Sequence, residues 1–160
     1  MLHSGNVGRT AGVVLLLHRS IQHSLVSWTP ISDRLLQARF IHQHGKLTVI
    51  VAYAPTEDSS DHDKDNFYNQ LQSAVLSTPP HDQLIVLGDL NAVSGTTRQG
   101  FENVVGSYGS GVTNDNSFRL LTLCTTAKLS ILGSWLRERT YTVTHGYRTT
   151  GARARRSITC

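Results

Sequence analysis

The run Leu84-Ile-Val-Leu-Gly-Asp-Leu-Asn-Ala92 constrains this chain more than any other stretch. Leu84 to Leu87 form a short apolar run of strand length, which reads as a buried strand. Gly88 ends it, and a loop rich in Gly, Ser and Thr follows. The strand end therefore delivers Asp89 and Asn91 at i, i+2, on one side if the backbone stays extended. A carboxylate beside a carboxamide suits phosphate chemistry. The acid takes a proton or orients water, and the amide holds a phosphoryl oxygen or the water itself. An Asx turn closing the strand is the structural alternative, and the local pattern leaves both open.

At 160 residues, 39% of them hydrophobic and 16% charged, the chain has the length and balance of one globular domain or part of one. No apolar run reaches the length of a membrane span, and after the polar start Met1 to Arg9 the run Val13 to Leu17 does not read as a signal-peptide core. Cys124 lies in an apolar stretch and Cys160 is the last residue. Neither has metal-site spacing, and no disulfide, internal or to a partner, is expected; a reducing, intracellular setting fits. The net charge of +4 is uneven. From Arg137 onward there are six arginines (137, 139, 148, 153, 155 and 156) against Glu138, whereas the preceding residues carry nine basic and ten acidic groups. That basic end reads either as a phosphate-binding patch or as a solvated tail.

Ala11 to Leu17 reads as a core strand. Leu35 to His42 and Leu47 to Tyr53, joined through the turn signal His44-Gly45, read as an antiparallel hairpin that Pro55 terminates. Phe67, Leu71, Ala74 and Val75 recur at helical spacing, so Asp63 to Leu76 reads as an amphipathic helix with Asp61, Asp63 and Asp65 crowding its positive end. The strand Gln83 to Gly88 then completes a β-α-β unit. Ser94 to Gly111 reads as a long loop. Asn114-Asp-Asn116 supplies N-cap candidates for a second helix with Phe118, Leu120, Leu121, Cys124 and Ala127 on its apolar face. Leu129 to Trp135 and Tyr141 to His145 read as further strands. Hairpin and crossover together predict a layered α/β fold with a mixed sheet. His62 between Asp61 and Asp63 reads as a solvated helix start rather than a metal cluster.

Five segments carry a family resemblance: Ser32-Asp-Arg-Leu35, Val49-Ile-Val-Ala-Tyr-Ala-Pro-Thr56, Asp65-Asn-Phe-Tyr68, Val86-Leu-Gly-Asp-Leu-Asn-Ala92 and Asn114-Asp-Asn-Ser-Phe-Arg-Leu-Leu121. In this order they resemble the endonuclease/exonuclease/phosphatase superfamily. The nearest likeness is to the apurinic-type endonuclease domains of non-LTR retrotransposons and to craniofacial development protein 2-like proteins. The resemblance implies a four-layered α/β sandwich, of which this chain would hold part. It implies hydrolysis of phosphodiesters or phosphomonoesters with Mg²⁺ (or Mn²⁺), and DNA as the ancestral substrate. It also implies site residues: Asp89 to activate or orient water, Asn91 to bind the water or the phosphate, and Tyr53 to contact the scissile phosphate. Asn114 and Asn116 fall where the family has substrate-side or loop-ordering asparagines, although both also read as helix caps.

The departures from the family pattern bear on activity. The family has an asparagine and a metal-binding glutamate ahead of the Gly12-Val13 region; Asn6 stands there in another context, and neither Glu57 nor Glu102 matches the glutamate. Thr142-Val143 stands for Thr-Trp, Thr159 for a carboxylate, and a closing Asp-His pair has no counterpart, His145 included. The whole chain, residues 1–160, therefore reads as one domain incomplete at both ends, with metal binding weak or absent and hydrolysis impaired or lost. A non-catalytic relic or interaction module, and a small-molecule phosphatase on the same fold, are the alternatives.

Overall fold

The computed structural model describes residues 1–4 and 11–137. The fold is α/β. A four-stranded mixed sheet is built from β3 (Leu25–Ser32), β4 (Leu35–His42), β5 (Gly45–Tyr53) and β6 (Asp82–Asp89), in that spatial order. β3–β4 and β4–β5 are antiparallel, with His42 opposite Gly45 closing the expected hairpin. β5 and β6 are parallel, joined through helix α1 (Asp61–Leu76), so the expected β-α-β unit forms. A second helix, α2 (Asp115–Ala127), lies beside α1.

Alternation along the strands builds a separate core on each face. Leu35, Ile50, Ala52 and Val86 pack with Phe67, Leu71 and Val75 of α1 and Leu120, Leu121 and Cys124 of α2. On the other face Leu36, Ala38, Phe40 and Val49 pack with Leu2 and Val13. These last two belong to a small antiparallel sheet of β1 (Leu2–Ser4) and β2 (Val13–Leu15). The described residues thus form a helical layer, a central sheet and a second sheet. At the far end of β6, Arg39 and Thr48 clamp the Asp82 carboxylate. Arg39 Nε and Nη2 donate at 2.7 and 2.9 Å, and Thr48 Oγ1 at 2.8 Å.

Several expectations need correction. The expected strand from Ala11 to Leu17 shortens to Val13–Leu15, with Val14 and Leu16 exposed, because β2 has only the three residues of β1 to pair with. α1 begins at Asp61 rather than Asp63, because Ser60 caps it by accepting from Asp63 N. Phe118 is 66% exposed and off the packed face of α2, where Leu123 joins the core instead. Leu129 to Trp135 is not a strand but contains a 3₁₀ turn at Leu132–Ser134. Its backbone bonds go to a loop, from Ile131 N to Val104 O and from Tyr108 N to Ser134 O. β1 and β3 had no sequence expectation. The residues Tyr141 to His145, the arginines beyond 137, Asn6, Thr159 and Cys160 lie outside the described residues.

Candidate active site

β5 and β6 end together. Tyr53 is the register partner of Asp89, so their side chains leave the carboxyl ends of two parallel strands, the edge where α/β sheets commonly bind ligands. Gly88 permits this pairing. Its φ is +133°, and a Cβ would fall 1.9 Å from Ala52 O. One residue on, Ala54 N donates to Asp89 O at 2.9 Å.

The chain does not stay extended after Asp89. Asn91 adopts φ +47° in the left-handed region, and its N–H donates to Asp89 Oδ1 at 2.9 Å. The Asx turn therefore forms, and the one-sided extended presentation of the two side chains does not. The turn leaves the Asp89 carboxylate exposed while fixing one of its oxygens. Asn91 Nδ2 donates to Ala54 O at 2.8 Å, lashing the loop to the end of β5.

The two downstream asparagines sit behind this edge. Asn114 caps α2 and Ser117 returns the bond, completing a capping box. Asn114 Nδ2 also donates to Asn91 O at 3.0 Å, and Ser117 Oγ accepts from Val93 N at 3.0 Å, so the helix start holds the loop carrying Asn91. Asn116 is fully buried. Its Nδ2 donates to Pro55 O at 2.9 Å, and its Oδ1 has no partner among the described residues. Glu57, which lies outside the family's glutamate pattern, accepts from Asp115 N at 3.0 Å and Asn116 N at 3.4 Å, satisfying donors at the positive end of α2. Buried Lys64 stands between Glu57 and Asp115, at 3.9 and 3.3 Å. Arg119 binds Asp61, Asp65 and Asp115; its bond to Asp115, ahead of Lys64, holds that carboxyl below its ordinary range. The acids flanking His62 are therefore helix-start residues, with Ser60 bonded to Asp63 and Asp61 paired to Arg119.

Arg34 is the neighbour that sequence reasoning left without a role. It precedes β4 and continues the row: Tyr53 N donates to Arg34 O at 2.9 Å, and Arg34 Nη1 to Tyr53 O at 3.3 Å. Its guanidinium lies over the Tyr53 ring, 5.1 Å from the centroid. Its place within Ser32-Asp-Arg-Leu35 was the available signal.

Among the described residues no group of three or more His, Cys, Asp or Glu is arranged to hold an ion. Asp89 has one oxygen already engaged by a backbone N–H. Among the described residues no helix is long and apolar enough to cross a membrane.

Over 130 residues the chain is 31% identical to craniofacial development protein 2 of Bos taurus. It is equally similar to the protein of that name from Tragulus javanicus. This chain is a relative of craniofacial development protein 2. The alignment takes in 81% of the chain, and the resemblance to craniofacial development protein 2-like proteins is borne out. The chain spans 22% of the length of these relatives, about a fifth. No protein-family model matches it. Among solved structures, the endonuclease domain of TRAS1, a telomere-specific non-LTR retrotransposon, overlays with a TM-score of 0.47 at 15% identity, covering 66% of this chain and 43% of that one. A likeness this distant decides nothing about chemistry.

Proposed function

We propose that this chain is an endonuclease-like domain of retroelement origin. It descends from a Mg²⁺-dependent phosphodiester hydrolase, is directed at DNA, and has little or no turnover as this polypeptide. The observation that supports the reading is the pairing of exposed Asp89 with Tyr53 at the parallel strand ends, braced by the Asn91 turn. In hydrolysis the Asp89 carboxylate accepts a proton from an attacking water. The Tyr53 hydroxyl, which no described residue engages, donates to a phosphate oxygen. Asn91 holds the loop and Asn114 holds Asn91. Phosphoryl transfer also needs cations against the growing oxyanion, and both described glutamates are engaged elsewhere, Glu57 at the start of α2 and Glu102 at Gly100 N.

Duplex DNA with and without an abasic site, incubated with Mg²⁺ or Mn²⁺, tests the catalytic half. Cleavage no faster than that of Asp89→Ala is expected, and Asp89-dependent turnover would overturn the claim of impairment. Fluorescence anisotropy tests the phosphodiester half. Asp89→Asn removes a negative charge facing the phosphate and tightens duplex binding by about two- to fivefold, the scale of one exposed charge interaction. Unchanged affinity would mean that no phosphate approaches this edge.

A further inference from the structure

A phosphodiester brought to Asp89 meets a carboxylate of its own sign. An edge that accepts it needs a fixed cation within reach, and the strand ladder offers one. Arg34, Tyr53 and Asp89 occupy successive strand ends, Arg34 bonded to Tyr53 through the backbone and Tyr53 in register with Asp89. Other half-buried arginines are spent inside the fold. Arg39 is forked onto Asp82, Arg119 onto three aspartates, and Arg98 bonds the carbonyls of Val105 and Glu102 at 2.9 and 3.5 Å.

Arg34 is different. Among the described residues no carboxylate stands within ion-pair distance of it, and one of its donors is engaged, by Tyr53 O. A guanidinium carries five N–H donors in a planar fork that matches two oxygens of a phosphate. Stacking on the Tyr53 ring and the bond to Tyr53 O hold that fork in place, so little side-chain freedom remains to be lost on binding.

We infer that Arg34 is the phosphate-holding cation of this edge, gripping a non-bridging oxygen of a DNA phosphodiester beside Tyr53 while Asp89 faces the attacking water. The inference rests on the phosphodiester reading above. It assigns Arg34 a direct ligand contact rather than a purely structural role under Tyr53.

The test is duplex binding by the full chain across a salt series. Loss of one phosphate contact lowers the slope of log K against log salt by about one. Arg34→Gln should show that loss and bind about tenfold more weakly at low salt. Arg34→Lys keeps the charge without the fork, so it should restore the slope while remaining about five- to tenfold weaker than the native chain. Circular dichroism melts confirm that each variant is folded at the assay temperature. If the Gln variant is not, the Lys variant decides, and native affinity in Arg34→Lys would overturn the inference. An unchanged slope in folded Arg34→Gln would make Arg34 a structural prop and overturn it too. A native chain without salt-dependent binding removes the phosphodiester reading and this inference together, whereas an unchanged slope with binding intact removes this inference alone.

Discussion

Replacing Gly88 by alanine forces a methyl group into the backbone of β5. The added Cβ would stand 1.9 Å from Ala52 O, 2.9 Å from its carbonyl carbon and 3.1 Å from its nitrogen. Restoring ordinary contact, about 3.5 Å, requires the two strands to part by roughly 1 Å or more at the rung beside Tyr53 and Asp89. The Ala54 N–Asp89 O bond, now 2.9 Å, lies one step away and would be lost. That bond is worth about 0.5–1.5 kcal/mol, and a φ of +133° adds strain of about 1–3 kcal/mol for an L residue. The sum, about 1.5–4.5 kcal/mol, corresponds to a Tm lower by roughly 4–15 °C in a chain of this length. Gly45 provides the control. Its φ is +147°, but a Cβ there meets nothing within 4 Å, so Gly45→Ala carries the strain without the collision. Urea denaturation followed by tryptophan fluorescence and far-UV circular dichroism should rank Gly88→Ala at least about 1 kcal/mol below Gly45→Ala. Equal costs would refute the close approach of β6 to β5 at this rung.

Asp82 links stability to pH. The Arg39 guanidinium first, with the Thr48 hydroxyl, outweighs the opposing desolvation and holds its carboxyl at about 2, below the ordinary 3.8. Because the folded value is the lower one, this contribution is complete above the ordinary value and is lost as pH falls through about 2. Urea midpoints should therefore fall across that window in the native chain and fall less in Asp82→Asn; an equal fall would show that Asp82 does not govern the acid limb. Asn114→Ala removes the cap and the tie to Asn91 and should cost about 1–2 kcal/mol, with Asn114→Ser recovering most of the cap in the same melts. Asn116→Ala strips the donor from buried Pro55 O and should cost about 1–3 kcal/mol; a neutral result would mean that water replaces the side chain there.

The elements legible in the sequence are those whose burial is one-sided and regular. β4 and β5 alternate between two cores, and α1 keeps Phe67, Leu71, Ala74 and Val75 on one face. β3 escaped notice because it is a sheet edge, mostly exposed, with Ser27, Thr29 and Pro30 where an interior strand would carry apolar groups. β1 is three residues long, too short for any period to show. Leu129 to Trp135 has the composition of a strand, yet its backbone is satisfied by the loop around Val104 and Tyr108, a tertiary fact that no local pattern encodes. Phe118 obeyed the helical period but lies off the packed face, 66% exposed, a placement that periodicity alone does not report.

At the candidate site the sequence located the groups but left their work open. Asp89 and Asn91 could be read as a ligand pair or as an Asx turn, and the geometry combines elements of both. The turn consumes Asp89 Oδ1 and the backbone of Asn91, and through that bond holds an exposed carboxylate at a fixed place. Asn91, Asn114 and Asn116 form a scaffold in which Nδ2 groups bond to the carbonyls of Ala54, Asn91 and Pro55. A motif rich in asparagine thus serves to lock the end of β5, the loop after β6 and the start of α2 into one unit. Their hydrogen bonds to main-chain carbonyls depend on tertiary approach, which spacing in the sequence cannot report. Charge shows the same limit. Arg34, Arg39, Arg98 and Arg119 look alike in the sequence, and only their partners separate them: Arg39 and Arg119 meet aspartates and Arg98 backbone carbonyls, whereas Arg34 has Tyr53 as its side-chain partner among the described residues. The chemical reading of this edge therefore stands on the pairing of Arg34, Tyr53 and Asp89 across three strand ends, a relation of register that becomes visible only once the sheet is assembled.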